Sequence, residues 1–168
     1  MKKILQLLFE HKNLTRQQAK EVMLEMSKGA YNEPEITAFI TIYLMRSITI
    51  EELQGFREGL LELCIPVNLD EFEVIDIVGT GGDGKNTFNI STLACFLVAG
   101  AGVKVAKHGN YGATSMSGAS NVMENLGYRF KSNNGDLKKE VAEAGICFMH
   151  APLFHPALKT VAGIRKAL

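Results

Sequence analysis

The sequence predicts an α + α/β protein: a four-helix unit over residues 1–65, then the first part of a largely parallel α/β sheet domain over residues 71–168. Three observations predict it. Apolar residues recur at helical spacing before Pro66; short β-branched runs alternate with helical stretches after it; and glycine gathers at the junctions of the second part. Of the sixteen glycines, three fall in residues 1–78, nine in 79–118 and four beyond. Glycine is costly inside helices and useful where backbone turns or approaches a ligand. The first part therefore reads as scaffold and the middle as the region that touches something.

The elements follow in order. A short helix covers residues 2–11, with His11 at its end. Thr15-Arg16-Gln17-Gln18 has capping-box form and opens a helix that stops near Gly29. Asn32 caps the next, which tolerates Pro34 in its first turn and carries Ile36, Phe39, Ile40, Tyr43 and Leu44 at 3–4 spacing. Thr49-Ile50-Glu51-Glu52 is a second capping box, leading through Leu53, Phe56, Leu60 and Leu61 to Cys64, and Pro66 ends that helix. These apolar stripes read as core, with a partner surface as the alternative. Beyond the linker, Val74 to Val78 reads as a buried strand ending in glycine, and Val103 to Ala106 and Ile146 to Met149 as further strands. Helices are expected over Asn89 to Ala101, Ser117 to Leu126 and Asp136 to Ala144.

Composition excludes several classes. Eighteen basic side chains balance eighteen acidic ones, so no global field holds nucleic acid or an anionic membrane. Any anion must be bound locally. The longest apolar stretch, Leu93 to Val103, is shorter than the roughly 20 residues of a membrane span. The N-terminal apolar run is broken by Gln6, Glu10 and His11 with no small-residue cleavage site after it, which predicts a soluble, cytoplasmic chain. Cys64, Cys95 and Cys147 have neither metal-ligand nor redox spacing and read as packing residues.

Gly79-Thr80-Gly81-Gly82-Asp83-Gly84-Lys85-Asn86-Thr87 follows a strand and precedes a helix, a junction that collects free N–H groups for an anion. Two templates nearly fit. Gly79, Gly81 and Gly84 satisfy the dinucleotide fingerprint, but its ribose-binding acid is absent, since the next acidic residue after Asp83 is Glu124. Gly79 to Lys85 satisfies the start of a triphosphate loop, yet Asn86 stands where a magnesium-binding hydroxyl is required. Hydroxyls and an amide follow in Thr87-Phe88-Asn89-Ile90-Ser91-Thr92. Lys107-His108-Gly109-Asn110 then stands at the end of the second strand, followed by the small polar loop Tyr111 to Gly118. Two phosphate-type loops with a lysine between them suit a phosphorylated sugar diphosphate.

GTGGDGKNTFNIST together with KHGNYGATSMSGASNVMENLGY resembles the anthranilate phosphoribosyltransferase family of tryptophan biosynthesis, and the later HPALK and GIRKAL segments agree. The resemblance implies that the anthranilate amine attacks C1′ of phosphoribosyl pyrophosphate (PRPP), releasing magnesium-bound pyrophosphate without a covalent nucleophile. It implies PRPP contacts for Gly79, Gly82, Asp83, Thr87, Asn89, Ser91, Thr92, Lys107, Ser115 and Ala119, with Ser91 also the Mg2+ ligand. It implies anthranilate contacts for Gly79, His108, Asn110 and Arg165, and a homodimer formed through the helical domain. No residue is implied as a catalytic acid or base; Lys107 and Asn110 act by positioning.

Two positions depart from the family pattern. Tyr111 stands where an arginine is common, and Asn121 replaces a frequent aspartate. The family's chain also continues for about as long again, so the resemblance implies a fragment with little or no activity alone. Two alternatives stay open: a pyrimidine nucleoside phosphorylase relative, which shares the first loop in variant form, and a non-catalytic helical or dimerisation fragment. His150 and His155 read as structural.

Overall fold

The computed structural model describes residues 1–79, 81, 87–112 and 115–168, without the side chains of 165 and 166. Gly82 and Asp83 lie outside the described residues. In space the chain forms two units, residues Met1–Ile65 with His155–Leu168, and residues Pro66–Phe154.

The helical unit contains α1 (Lys2–Phe9), α2 (Arg16–Ser27), α3 (Glu33–Met45) and α4 (Ile50–Leu63). Capping boxes close the starts of α2, α3 and α4: Thr15 with Gln18, Asn32 with Glu35, and Thr49 with Glu52. After α1 the chain turns at His11, whose φ of 58° is left-handed. The core is Leu8, Leu14, Val22, Met26, Ile36 and Phe39. Phe39, Tyr43 and Phe56 pack edge to face, with ring centroids 5.1 to 5.9 Å apart.

Val161 and Ile164, on the helix Lys159–Ala167, complete that core. The sequence division assigns this segment to residues 71–168. In space it joins the helical unit, because its two apolar residues share one helix face and bury there.

α4 lies against α2 through Gly55 and Gly59. A Cβ on Gly55 would stand 2.1 Å from the Arg16 carbonyl oxygen, and one on Gly59 would stand 2.7 Å from Met23 Cβ. Arg16–Glu58 and Lys20–Glu62 ion pairs flank this contact at the surface, where they add little.

Glu52 is fully buried yet charged. Its carboxylate accepts from Arg46, from the Tyr43 hydroxyl, from the N–H and hydroxyl of Thr49, and from the Leu14 N–H. Burial alone pushes the carboxyl up, and the hydrogen bonds from Arg46, Thr49 and Leu14 overcome it, holding the group at about 2.

The second unit begins with β1 (Val74–Ile75) and continues with α5 (Ile90–Gly100), β2 (Lys104–Gly109), α6 (Ala119–Asn125), α7 (Asn134–Ala144), β3 (Ile146–His150) and α8 (Ala151–Phe154). The sheet is parallel in the order β1-β2-β3. Leu69, Ala106, Leu137, Val141, Cys147 and Phe154 form its core. Cys95 and Cys147 are buried, and burial pushes both thiols up, Cys147 to about 12. Cys64 is partly buried and also free. No described helix is long and apolar enough to cross a membrane.

Two strands differ from expectation. β1 pairs only at Val74 and Ile75, and Val78 is exposed, so the expected buried strand over 74–78 is shorter and barer. Among the described residues β1 is an edge strand with β2 on one side alone. β2 runs past Ala106 to Gly109, since Lys107, His108 and Gly109 pair with Phe148, Met149 and His150. Sheet pairing overrides the poor strand propensity of Lys-His-Gly.

Glu52→Gln removes the charge that these donors surround and is expected to destabilise the helical unit by about 3 kcal/mol, measured by urea titration. The wild-type carboxyl titrates lower in the folded state than its ordinary 4.5, so its contribution, about 3 kcal/mol, is full above that pH. It is lost as the pH falls toward about 2. Circular dichroism from pH 6 downward should show this loss in wild type and its absence in Glu52→Gln.

Candidate anion-binding site

The site grows from the strand ends of the parallel sheet, where open α/β folds bind ligands. Gly79 follows β1, and a Cβ there would sit 3.1 Å from the Ser91 hydroxyl. Glycine at 79 thus lets the backbone pass close to a hydroxyl in the first turn of α5. Asn89 caps α5, its Oδ1 accepting from the Thr92 N–H at 2.9 Å. Its Nδ2 donates to the Ser117 carbonyl at 2.7 Å, and the Ser117 hydroxyl donates to the Thr87 carbonyl at 2.9 Å. These two bonds tie the end of the first glycine loop to the second loop.

Thr92 is 2% exposed, and its hydroxyl has no hydrogen-bond partner among the described residues. An orphaned polar atom this deep costs stability unless a ligand or water completes it.

Lys107 is also 2% exposed. Its ammonium donates to the Ile77 carbonyl at 2.6 Å, and the Cys95 thiol approaches the same carbonyl at 3.8 Å. The cation therefore lies beneath the chain that leads from β1 into Gly79. An ammonium has three donors, and Ile77 takes one. His108, half-buried on the opposite face of β2, donates its backbone N–H to Asp76 Oδ1 at 3.2 Å. Burial pushes its imidazole down, against the opposing pull of Asp76, so the ring is neutral at pH 7.

The second loop is closely fitted. A Cβ on Gly118 would fall 1.9 Å from the Gly112 nitrogen. Gly112 N–H donates to Asn121 Oδ1 at 3.0 Å, so the amide oxygen of Asn121 accepts the bond that an aspartate oxygen could. Asn110 is exposed; its side-chain oxygen accepts from the Tyr111 N–H at 2.8 Å, and its carbonyl accepts from the Ser120 N–H at 3.1 Å. The Tyr111 hydroxyl turns away to Glu124 at 2.5 Å. Ser115 is partly buried, and Ala119 opens α6.

The expected residues divide accordingly. Gly79, Thr87, Asn89, Ser91, Thr92, Lys107, His108, Asn110, Ser115 and Ala119 all belong to the sheet unit. Gly82 and Asp83 are outside the described residues, and Arg165 lies on a helix of the other unit with its side chain undescribed. Sequence reading missed Asp76 and the tethering role of Ser117. Asp76 did leave a signal, as the one acid inside the β-branched run Val74 to Val78.

Among the described residues no group of three or more His, Cys, Asp or Glu could hold a metal ion. Magnesium commonly keeps its waters and binds through a few oxygens plus substrate phosphates. The Ser91 hydroxyl, which lies close to the Gly79 backbone, is an oxygen of the kind such an ion takes.

Among the described residues, a hydroxyl cluster and a buried lysine thus gather at the ends of parallel strands, the place where open α/β folds bind ligands. Two family models cover almost the whole chain: the glycosyl transferase helical bundle domain over residues 2–64, and the glycosyl transferase a/b domain over residues 71–168. The chain belongs to this glycosyl transferase family.

Relatives named anthranilate phosphoribosyltransferase from Cytophaga hutchinsonii and Flavobacterium psychrophilum are each 60% identical over all 168 residues. The chain spans about half the length of these relatives, 51% of each. The crystal structure of anthranilate phosphoribosyltransferase from Thermus thermophilus superposes with a TM-score of 0.85 at 31% identity, covering 97% of this chain and 50% of that one. The Saccharomyces cerevisiae enzyme in complex with PRPP and Mg gives a TM-score of 0.77 at 29% identity, covering 92% of this chain and 47% of that one.

Asn89→Ala is expected to destabilise the sheet unit by about 1–2 kcal/mol, through loss of the helix cap and the Ser117 bond. Thr92→Val, which removes an orphaned hydroxyl at nearly constant shape, should stay within about 0.5 kcal/mol of wild type. Urea titration of the two variants beside wild type checks both.

Proposed function

We propose that this chain contributes the helical unit and the PRPP-binding loops of an anthranilate phosphoribosyltransferase. The observation that carries the reading is the pair of bonds joining Asn89 and Thr87 to Ser117, which tie the segment after the first glycine loop to the second loop at the strand ends. The names of the relatives agree with it.

In this reading Gly79, Gly82, Asp83, Thr87, Asn89, Ser91, Thr92, Ser115 and Ala119 surround the diphosphate and ribose. The Lys107 charge acts on the phosphates from beneath. Asn110 holds the anthranilate carboxylate side, with Gly79 and His108 beside the ring. Neutral His108 adds no positive charge beside the attacking amine. Catalysis then rests on alignment of the amine with C1′ and stabilisation of the departing charge. When bound at Ser91, magnesium would supply further neutralisation of the pyrophosphate oxygens. The free cysteines accord with a reducing cytoplasm.

Lys107→Ala is expected to weaken Mg–PRPP binding by about 1–3 kcal/mol in calorimetry, the range of charge-assisted hydrogen bonds. Unchanged affinity removes the role given to it. Substrate class is tested by anthranilate fluorescence in the presence of Mg–PRPP. Phosphorolysis of uridine or thymidine by the same protein would instead favour the nucleoside phosphorylase alternative.

We further propose that the helical unit pairs with a second copy. A groove of about 900 Å³ runs along α1 and α3, lined by Leu8, Phe9, Pro34, Ala38, Ile42 and Met45. Phe9 and Met45 are 61% and 82% exposed, and of the apolar stripes read as core Leu44, Leu53 and Leu61 also face outward. Met45→Glu should convert a dimer to monomer in sedimentation velocity, and a wild-type monomer would refute the pairing.

A further inference from the structure

His150 ends β3, where it pairs in register with Gly109. It is buried, and no role in phosphoribosyl transfer falls to it. Its Nδ1 shares a hydrogen bond of 2.8 Å with the Ser120 hydroxyl in the first turn of α6. One face of the ring stacks on Phe130, with centroids 4.3 Å apart and planes 12° from parallel. The Tyr111 ring meets it edge-on, with centroids 5.0 Å apart.

A serine hydroxyl against an imidazole has the look of a nucleophile and its base. Burial argues otherwise, because Ser120 is 0% exposed and its hydroxyl cannot reach a substrate. Burial also pushes the His150 imidazole down, so a neutral ring makes this bond at pH 7.

The contacts close a circuit. From His150 the path runs through Ser120, whose N–H donates to the Asn110 carbonyl, to Tyr111 next in the chain, and back to the imidazole. Tyr111 brings no cation, and its hydroxyl is committed to Glu124 on α6, so it acts by packing. Its N–H fixes the side-chain oxygen of Asn110. Asn110 is thereby held by its backbone and by its side chain, and both restraints depend on groups that touch His150.

We propose that His150 is a positioning residue: it locks Asn110–Tyr111 and the first turn of α6 into the single arrangement that the ligand requires. The proposal rests on the PRPP and anthranilate reading of this site. Its ordering effect is readable without ligand.

The experiment compares wild type, His150→Phe, Ser120→Ala and the double variant. Phenylalanine keeps the ring stack and loses the bond, while alanine removes the same bond from the other side if the first variant folds poorly. In the unliganded protein, exchange of the Ser120 and Gly112 amides should quicken about tenfold, the value of one net hydrogen bond. The Gly145 amide, bonded to Val141, should be unchanged. Mg–PRPP affinity should fall by a similar factor, with the double variant no worse than either single one. Unchanged exchange at Ser120 and Gly112, or equal quickening at Gly145, overturns the proposal. If wild type binds no Mg–PRPP, the ligand reading fails, and the exchange measurement still decides whether His150 orders this turn.

Discussion

A β-strand lets each residue point to one of two faces, and β2 applies that limit at the place where the chemistry gathers. Because Lys107, His108 and Gly109 pair in register with Phe148, Met149 and His150, Lys107 and His108 must face opposite ways. One drives its ammonium under the path from β1 to Gly79; the other is held by its N–H to Asp76. A slip of one residue would exchange the two faces and place an imidazole where the cation belongs. Everything built on the strand end inherits this alternation. That includes the approach to the first loop, the neutral ring of His108 and the start of the second loop at Asn110.

Among the described residues, side chains of Asn89 and Ser117 then join the two loop segments. Asn89 does two things with one amide: its oxygen caps α5 and its nitrogen reaches Ser117. Gly112 and Gly118 approach so closely that no side chain fits at the second position. Many of the described polar groups here are spent on each other. Among the described residues, the hydroxyl of Thr92 and two donors of Lys107 have no protein partner.

Much of this was legible in the sequence, for identifiable reasons. Capping boxes at Thr15 and Thr49 involve residues three apart, so the helices they open could be read directly. The glycine loop between strand and helix was equally local. What stayed hidden was long-range. Nothing near Lys107 says that it will be buried against Ile77, thirty positions away. The sequence pattern ends β2 at Ala106, because Lys-His-Gly has poor strand propensity and is held in the strand by β3. The brief pairing of β1 and the helical unit's use of Val161 and Ile164 are likewise facts of packing. Asn121, noted as a departure, proved to be an acceptor for Gly112, a role that the amide and the acid share.

Glu52 has a consequence for how the helical unit comes apart. Its carboxylate is bonded at once to the segment before α2, to α3, to the turn after α3 and to the start of its own helix. None of these pieces can fray alone without leaving a buried charge short of donors. Partial opening is therefore penalised more than its few lost contacts suggest. The middle of the unit should behave as one cooperative block, and graded loosening should be confined to segments that do not touch the carboxylate. A single side chain thus sets the grain at which this half of the molecule can melt.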